Sequence, residues 1–177
     1  IPGLYVFLAC KAPMQLDFNR NHFDLFGLPN RFDIDTGALD HAYRSLQAEV
    51  HPDRFAHAGE AEKRLSMQWA TRVNEAYQTL RRPFERANYL LELNGIRAMD
   101  PNNTAMPPNF LMQQMEWREQ LAEATAGKDF AGLQHLEKNL RDAAAALQGE
   151  LALLMDERRD YNRAAEVLRK YRFMEKL

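Results

Sequence analysis

The chain has 177 residues, 46% hydrophobic and 27% charged, with a formal net charge of −2. That composition fits one folded domain or two small ones with a real core, and it argues against disorder. Nine Lys/Arg stand against eleven Asp/Glu over 21–92, and eleven against twelve over 116–177; neither half is a general polyanion binder, so nucleic acid is not an expected partner.

Residues 1–20 read as an N-terminal extension, upstream or cloning-derived, because the chain does not begin with methionine and Met14 precedes a more natural opening. The apolar run Leu4 to Cys10 is far shorter than the ~20 residues a membrane span needs. It also lacks the basic lead and small-residue cleavage site of a signal peptide. No membrane partner is expected. Cys10 is the sole cysteine, which excludes an internal disulfide framework and any cysteine-rich zinc or iron–sulfur site held by this chain alone. It fits a reducing compartment, and a bacterial cytoplasmic setting is expected.

The first element is a short apolar turn, Phe23-Asp24-Leu25-Phe26, closed by Gly27 and Pro29. Asp33-Ile34-Asp35-Thr36 supplies N-cap candidates for a helix from about Thr36 to Val50, with Leu39, Ala42, Tyr43, Leu46 and Val50 on its core face. Arg44 and Gln47 fall off that stripe and should be solvated. Proline cannot continue a helix and pushes its predecessor out of the α region, so Pro52 stops this one at about Val50. A second helix, near Ala61 to Leu80, carries Leu65, Trp69, Ala70, Val73, Ala76, Tyr77 and Leu80 inward and pairs with the first as a helical hairpin. Pro83 opens a shorter helix with Ala87, Leu90 and Leu91 inward, capped by Asn94-Gly95.

Residues 96–108, rich in proline and asparagine, read as a linker. Beyond them the pattern is helical over roughly Asn109 to Ala126, Lys128 to Asp156 and Tyr161 to the end, where no helix-ending signal is seen. Leu133, Leu136, Leu140, Ala144, Leu147, Leu151 and Leu154 step by three or four as a packing seam. Three helices with short connections make an antiparallel bundle. The fold class is therefore all-α, with no strand pattern.

Candidate chemistry begins at the hairpin corner, His51-Pro52-Asp53-Arg54-Phe55. The tripeptide alone is a weak signal, since a turn-forming proline between two polar residues is ordinary in loops. A metal set of His51, Asp53 and His57 would lie in one loop, without a second ligand pair on a facing element. A His–Asp dyad would have no nucleophile or oxyanion device. No enzyme activity, metal or cofactor is expected. With the short apolar helix before it and Val73-Asn74-Glu75-Ala76-Tyr77-x-x-Leu80 after it, the corner resembles a J-domain, the module that stimulates ATP hydrolysis by DnaK-type chaperones. In that family a basic face on the helix before the motif docks the chaperone. The resemblance implies chaperone binding by His51, Pro52, Asp53, Arg44 and Arg54. The run Arg44 to Val50 carries one base and one acid, so charge steering should be weak here and a dedicated chaperone more plausible. The other bases, Arg81, Arg82 and Arg86, read as a solvated face.

On a helical wheel from Phe110, the residues Phe110, Trp117, Leu121 and Ala124 cluster within about 60° as a core stripe. Leu111, Met115 and Met112 fall at about 100°, 140° and 200°, off that stripe. In the last helix Tyr161, Ala164, Leu168 and Tyr171 form a core stripe, and Phe173 points nearly opposite. Large apolar residues spared from two cores suggest an exposed patch for a partner, and methionines suit an adaptable surface. Packing under another helix is the plainer alternative.

A J-domain followed by Phe110-Leu111-Met112-Gln113-Gln114-Met115-Glu116-Trp117-Arg118-Glu119 and by Arg169-Lys170-Tyr171-Arg172-Phe173-Met174 resembles the HscB family of iron–sulfur co-chaperones. The resemblance runs from about Phe23 to Leu177. It implies an L-shaped molecule with a J-domain over 21–95, the linker over 96–108 and a scaffold-binding three-helix bundle over 109–177. It implies two partners, a dedicated DnaK-type chaperone ATPase (HscA type) and the iron–sulfur scaffold protein (IscU type). The scaffold would dock on Leu111, Met112, Met115 and Phe173, flanked by Glu116, Arg118, Glu119 and Arg172. Met115 stands where leucine is common and Arg54 where lysine is frequent; both changes are conservative. The alternative is a J-domain protein with other clients or a dimerising bundle.

Overall fold

The computed structural model describes residues 19–100 and 106–174. The expectations for residues 1–18, for Pro101 and its neighbours in the linker, and for the last three residues lie outside that range. The molecule is all-α and L-shaped. In chain order the helices are α1 (His22–Leu25), α2 (Thr36–Val50), α3 (Glu60–Arg81), α4 (Pro83–Leu93), α5 (Pro108–Ala126), α6 (Phe130–Ala152) and α7 (Tyr161–Met174).

The ends of these helices follow from local chemistry. The Asn21 side chain caps α1, the Asp35 carboxylate accepts from the Ala38 N–H at 3.0 Å, and Asp129 does the same for the Gly132 N–H of α6. Pro83 occupies the first turn of α4, where its missing donor costs nothing. At the other end Gly95 takes φ +76, and the Ile96 and Gly95 amides return to the Leu91 and Glu92 carbonyls. That left-handed cap is what Asn94-Gly95 announces.

The helices α2 and α3 pair as expected, with Leu39, Val50, Trp69, Val73, Ala76 and Leu80 buried between them. Tyr43 and Tyr77 stack at 3.9 Å, and Tyr77 and Arg81 both donate to the Asp40 carboxylate. Those bonds, from Arg81 first and Tyr77 second, hold the Asp40 carboxyl below its usual range. Arg81 is thus partly tied up within the hairpin. Leu65, expected inward, is exposed, and Ser66 is buried in its place. Ser66 lies three and seven residues before Trp69 and Val73, near the centre of the buried stripe, while Leu65 falls at its edge.

Arg86 is a second correction. It is no part of a solvated face but is 7% exposed, donating from Nε to the Phe32 carbonyl at 2.7 Å and from Nη1 to the Leu80 carbonyl. Its guanidinium lies 5.1 Å from the Phe32 ring centre, and burial lowers its pKa against the pull of Asp33 and Asp156. The site exists because α4 is covered on two sides.

The other cover is α7. Ala164, Ala165, Val167, Leu168 and Tyr171 are buried, a wider stripe than one helical face, because α7 packs on both α6 and α4. One core cluster accordingly runs from Phe23, Leu80 and Leu91 to Leu151, Leu154, Met155 and Leu168. Ala98, in the expected linker, is fully buried in it. The distal bundle has its own small core of Trp117, Leu136 and Met174, with Phe110 and Leu140 beside it. The predicted α6 seam is buried or half-buried throughout. Leu121, expected in the α5 stripe, is exposed, while Trp117 one turn before it is buried with Met174.

After Ala152 the chain continues as a π-helical turn, Leu153–Glu157. This turn carries Asp156, whose carboxylate accepts from the Phe32 N–H at 2.7 Å and the Asp33 N–H at 2.8 Å. Its side chain is only 3% exposed. The carboxylate satisfies both amides of the α1–α2 loop, so a single side chain ties that loop to the bundle. Asp156→Ala would leave both donors without a partner and should lower stability by about 2–3 kcal/mol. Urea unfolding measures this, and a loss under about 0.5 kcal/mol would contradict it.

His22 joins α1 to α4. Its N–H reaches the Tyr89 hydroxyl at 3.0 Å and its ring meets the Tyr89 ring edge-on at 4.2 Å. Burial, reinforced by Arg72, lowers the imidazole from 6.5 to about 4. The unfolded chain therefore binds a proton near pH 6.5 that the folded chain does not take up until about 4. This contribution is complete above pH 6.5 and is lost as pH falls toward 4. Unfolding midpoints taken across that window should fall for the parent protein and fall less for His22→Gln.

Candidate functional site

Proline at position 52 removes the amide that would have closed the last turn of α2, and His51 turns to ψ 129. The chain then makes one 3₁₀ turn, Pro52–Phe55, with the Arg54 amide on the His51 carbonyl at 3.0 Å. The Val50 carbonyl is thereby left without a helical partner. Ser66 of α3 supplies one, donating its hydroxyl at 2.7 Å in a buried setting. Ser66 lies nearly two turns into the facing helix, and its spacing from Trp69 and Val73 puts it on the buried face; periodicity does not say which carbonyl it would meet.

Within the turn the Asp53 amide donates to His51 Nδ1 at 3.2 Å, which leaves Nε2 to carry the ring hydrogen. The Asp53 carboxylate is 3.6 Å from the same Nδ1, too far for a hydrogen bond. The backbone contact therefore sets the ring, and the carboxylate is left to solvent. Arg54 folds back to donate to the Ala48 carbonyl at 3.3 Å, near the end of α2 where a cation suits the helix dipole. His51, Pro52, Asp53 and Arg54 are all exposed. Arg44 is exposed as well, and Arg44, Ala48 and His51 follow at i, i+4 and i+7, so they share one face. The structure thus brings the five predicted corner residues to one surface. Among the described residues no three His, Cys, Asp or Glu side chains are arranged to hold a metal ion, and no helix is long and apolar enough to cross a membrane.

The second candidate site is on the bundle. Leu111, Met112 and Met115 are 43%, 62% and 70% exposed. Phe110 and Trp117, on the other face of α5, pack with Met174 of α7. Phe173 follows at the same end of the bundle, since its neighbour Met174 belongs to that cluster. Phe173 is half-buried rather than open, lining a cavity with Met106 and Arg172. Glu116 accepts from Gln113 at 3.0 Å, and Glu119 and Arg118 are exposed. Arg172 reaches the other way, its guanidinium 4.8 Å from the Phe84 ring of α4. Gln114 is buried beneath the exposed stretch with its amide nitrogen unpartnered among the described residues, a feature the wheel left out.

The chemistry available is recognition. One surface offers an exposed imidazole, a carboxylate and the Arg54 guanidinium on a tight turn, with Arg44 on the helix before it, and the other offers exposed apolar side chains with charges beside them. Ser66 is the residue on which the first depends. Ser66→Ala should lower stability by about 1–2 kcal/mol and speed amide exchange in the Pro52–Phe55 turn above that in the rest of α2. Hydrogen-exchange mass spectrometry checks it, and unchanged exchange there would refute it.

Comparisons with known proteins agree with this architecture. A profile described as "HSCB C-terminal oligomerisation domain" matches residues 106–177. The "Co-chaperone protein HscB homolog" of Aromatoleum aromaticum is 52% identical over 93% of this chain and 93% of its own. Among solved structures, human co-chaperone protein HscB superposes with a TM-score of 0.83 at 34% identity, covering 94% of this chain and 83% of the human one. Chaperone HscB from Vibrio cholerae gives 0.81 at 38% identity, covering 89% and 92%.

Proposed function

This chain belongs to the HscB co-chaperone family, and from that premise we propose that it delivers an IscU-type iron–sulfur scaffold to a dedicated HscA-type chaperone and stimulates that chaperone's ATPase. It is a J-domain-type co-chaperone of iron–sulfur cluster assembly. In this proposal the J-domain is 21–95 and the scaffold-binding bundle 109–177, with 96–108 between them. The corner of His51, Pro52 and Asp53, with Arg44 and Arg54 on the same face, engages the ATP-bound chaperone. Leu111, Met112, Met115 and Phe173, flanked by Glu116, Arg118, Glu119 and Arg172, hold the scaffold.

The observation that carries the proposal is the coexistence, in one continuously packed body, of an exposed His-Pro-Asp turn and an exposed apolar stretch on α5. Two surfaces on one rigid molecule raise the effective concentration of scaffold at the chaperone, so each contact can be weak. The turn has no phosphate-binding loop of its own. It speeds hydrolysis by binding the chaperone's competent state more tightly than the others.

Self-association through the bundle is the second reading, favoured by the profile's description of 106–177 as an oligomerisation domain. Sedimentation with and without scaffold separates the two. The main test is a chaperone ATPase assay with purified scaffold. His51→Gln should reduce stimulation to background with the fold intact. Leu111→Ala with Met115→Ala should weaken scaffold binding about tenfold or more while changing stability by under about 0.5 kcal/mol, as exposed positions do. Stimulation by folded His51→Gln would refute the first role, and unaltered scaffold affinity in the double variant would refute the second.

A further inference from the structure

Met112 and Met115 are the two most exposed methionines among the described residues. They stand three residues apart on α5, and Leu111 and Met115 stand four apart, so the three side chains are neighbours on one face. Met155 and Met174 are buried in the two cores, while Met67, on α3 of the hairpin, is exposed to nearly the same degree as Met112. Thioethers are the one kind of side chain on this face that a two-electron oxidant attacks, since 109–126 holds no cysteine. Leucine at both positions would keep a similar volume with nothing to oxidise. Peroxide chemistry requires access to the sulfur, and both side chains provide it.

Hydrogen peroxide gives one oxygen atom to a thioether: a sulfur lone pair forms the S–O bond, the O–O bond breaks, and the departing oxygen leaves as water with the transferred proton. The sulfur loses two electrons and the peroxide gains them. The sulfoxide is a polar acceptor, so burying it against an apolar partner costs desolvation that the thioether does not. In the free protein neither side chain is buried, so this cost falls on a complex and not on the fold. We propose that Met112 and Met115 are an oxidant-sensitive modification site at which peroxide switches off scaffold binding. Methionine sulfoxide reductases reverse it, as a dithiol closes to a disulfide and the oxygen leaves as water. The proposal rests on the bundle being the scaffold-binding surface. The cysteine thiolates that hold an iron–sulfur cluster are oxidised by the same reagent, so the signal reaches the co-chaperone under conditions that harm its cargo.

The experiment uses the full chain with Cys10→Ser, so that only thioethers take up oxygen. The chain is treated with hydrogen peroxide and cleared of it before purified IscU-type scaffold is added, and affinity is measured by calorimetry. Peptide mass mapping should find an oxygen atom on both Met112 and Met115, and affinity should fall about tenfold and return after treatment with the reductases. Met112→Leu with Met115→Leu should bind as tightly after peroxide as before it, whatever its starting affinity, while Met67→Leu should lose as much as the parent. Unchanged affinity of the oxidised chain, with untreated Leu111→Ala weakened, overturns the switch and leaves the scaffold surface standing. If neither oxidation nor Leu111→Ala weakens binding, the scaffold surface itself is wrong and the switch falls with it. Equal loss in the double leucine variant, or a loss that tracks falling helix content by circular dichroism, also overturns the proposal.

Discussion

Packing of α7 against α6 on one side and α4 on the other is the constraint on which the rest of this molecule depends. Leu91, Leu151, Leu154 and Leu168 are fully or almost fully buried at this meeting, and each buried leucine contributes about 1.5–3 kcal/mol relative to exposure. Because the core is shared, the hairpin and the bundle cannot turn freely about the stretch that links them. Asp156 adds direction to the packing by fixing the Phe32 and Asp33 amides to the π-helical turn after α6. Arg86 completes the joint from α4 through the Phe32 carbonyl. Apolar burial supplies most of the energy of the joint, and these polar bonds fix its geometry.

A rigid joint has a functional consequence. The His-Pro-Asp turn and the exposed stretch of α5 sit on the two arms of one body, so a partner held by one has a defined position relative to the other. A flexible tether would raise local concentration only through its length distribution. A fixed angle between two surfaces would also select among partners by geometry. The arrangement of charge agrees with this. Arg81 is tied to Asp40 and Arg86 is buried, which leaves Arg44 and Arg54 beside the turn, a modest field that orients more than it attracts.

The turn itself shows how an exposed, pre-set imidazole is made from a helix break. Proline removes the amide that would have served the Ala48 carbonyl, the Arg54 amide turns to His51, and the Val50 carbonyl it leaves takes a hydroxyl from the facing helix. The histidine ring is then set by its own backbone, through the Asp53 amide. This pre-organisation lowers the ordering cost of binding through an otherwise exposed loop. On the bundle the opposite strategy holds, since Met112 and Met115 are long, unbranched and exposed. Side chains of this kind suit an adaptable surface.

What the sequence determined by itself is whatever depends on neighbours within one turn or one helical period. The bounds of α2, the Asn94-Gly95 cap, the α6 seam and the position of Leu111, Met112 and Met115 off the α5 core stripe are all local consequences of spacing, capping and proline sterics. Tertiary structure alone decided the features that need a second element at a defined distance. Ser66 serves the Val50 carbonyl only because α3 lies against the end of α2; Arg86 is interior because α4 is covered twice. Asp156 closes a helical stretch in the sequence, and its partners, the Phe32 and Asp33 amides, lie more than 120 residues away along the chain. Phe173 points off its helix's core stripe, as the wheel requires, yet lies half-buried because Ala98 and Met106 come back beside it. Periodicity reports which face of a helix is apolar, and it carries no information about how many neighbours that helix will have.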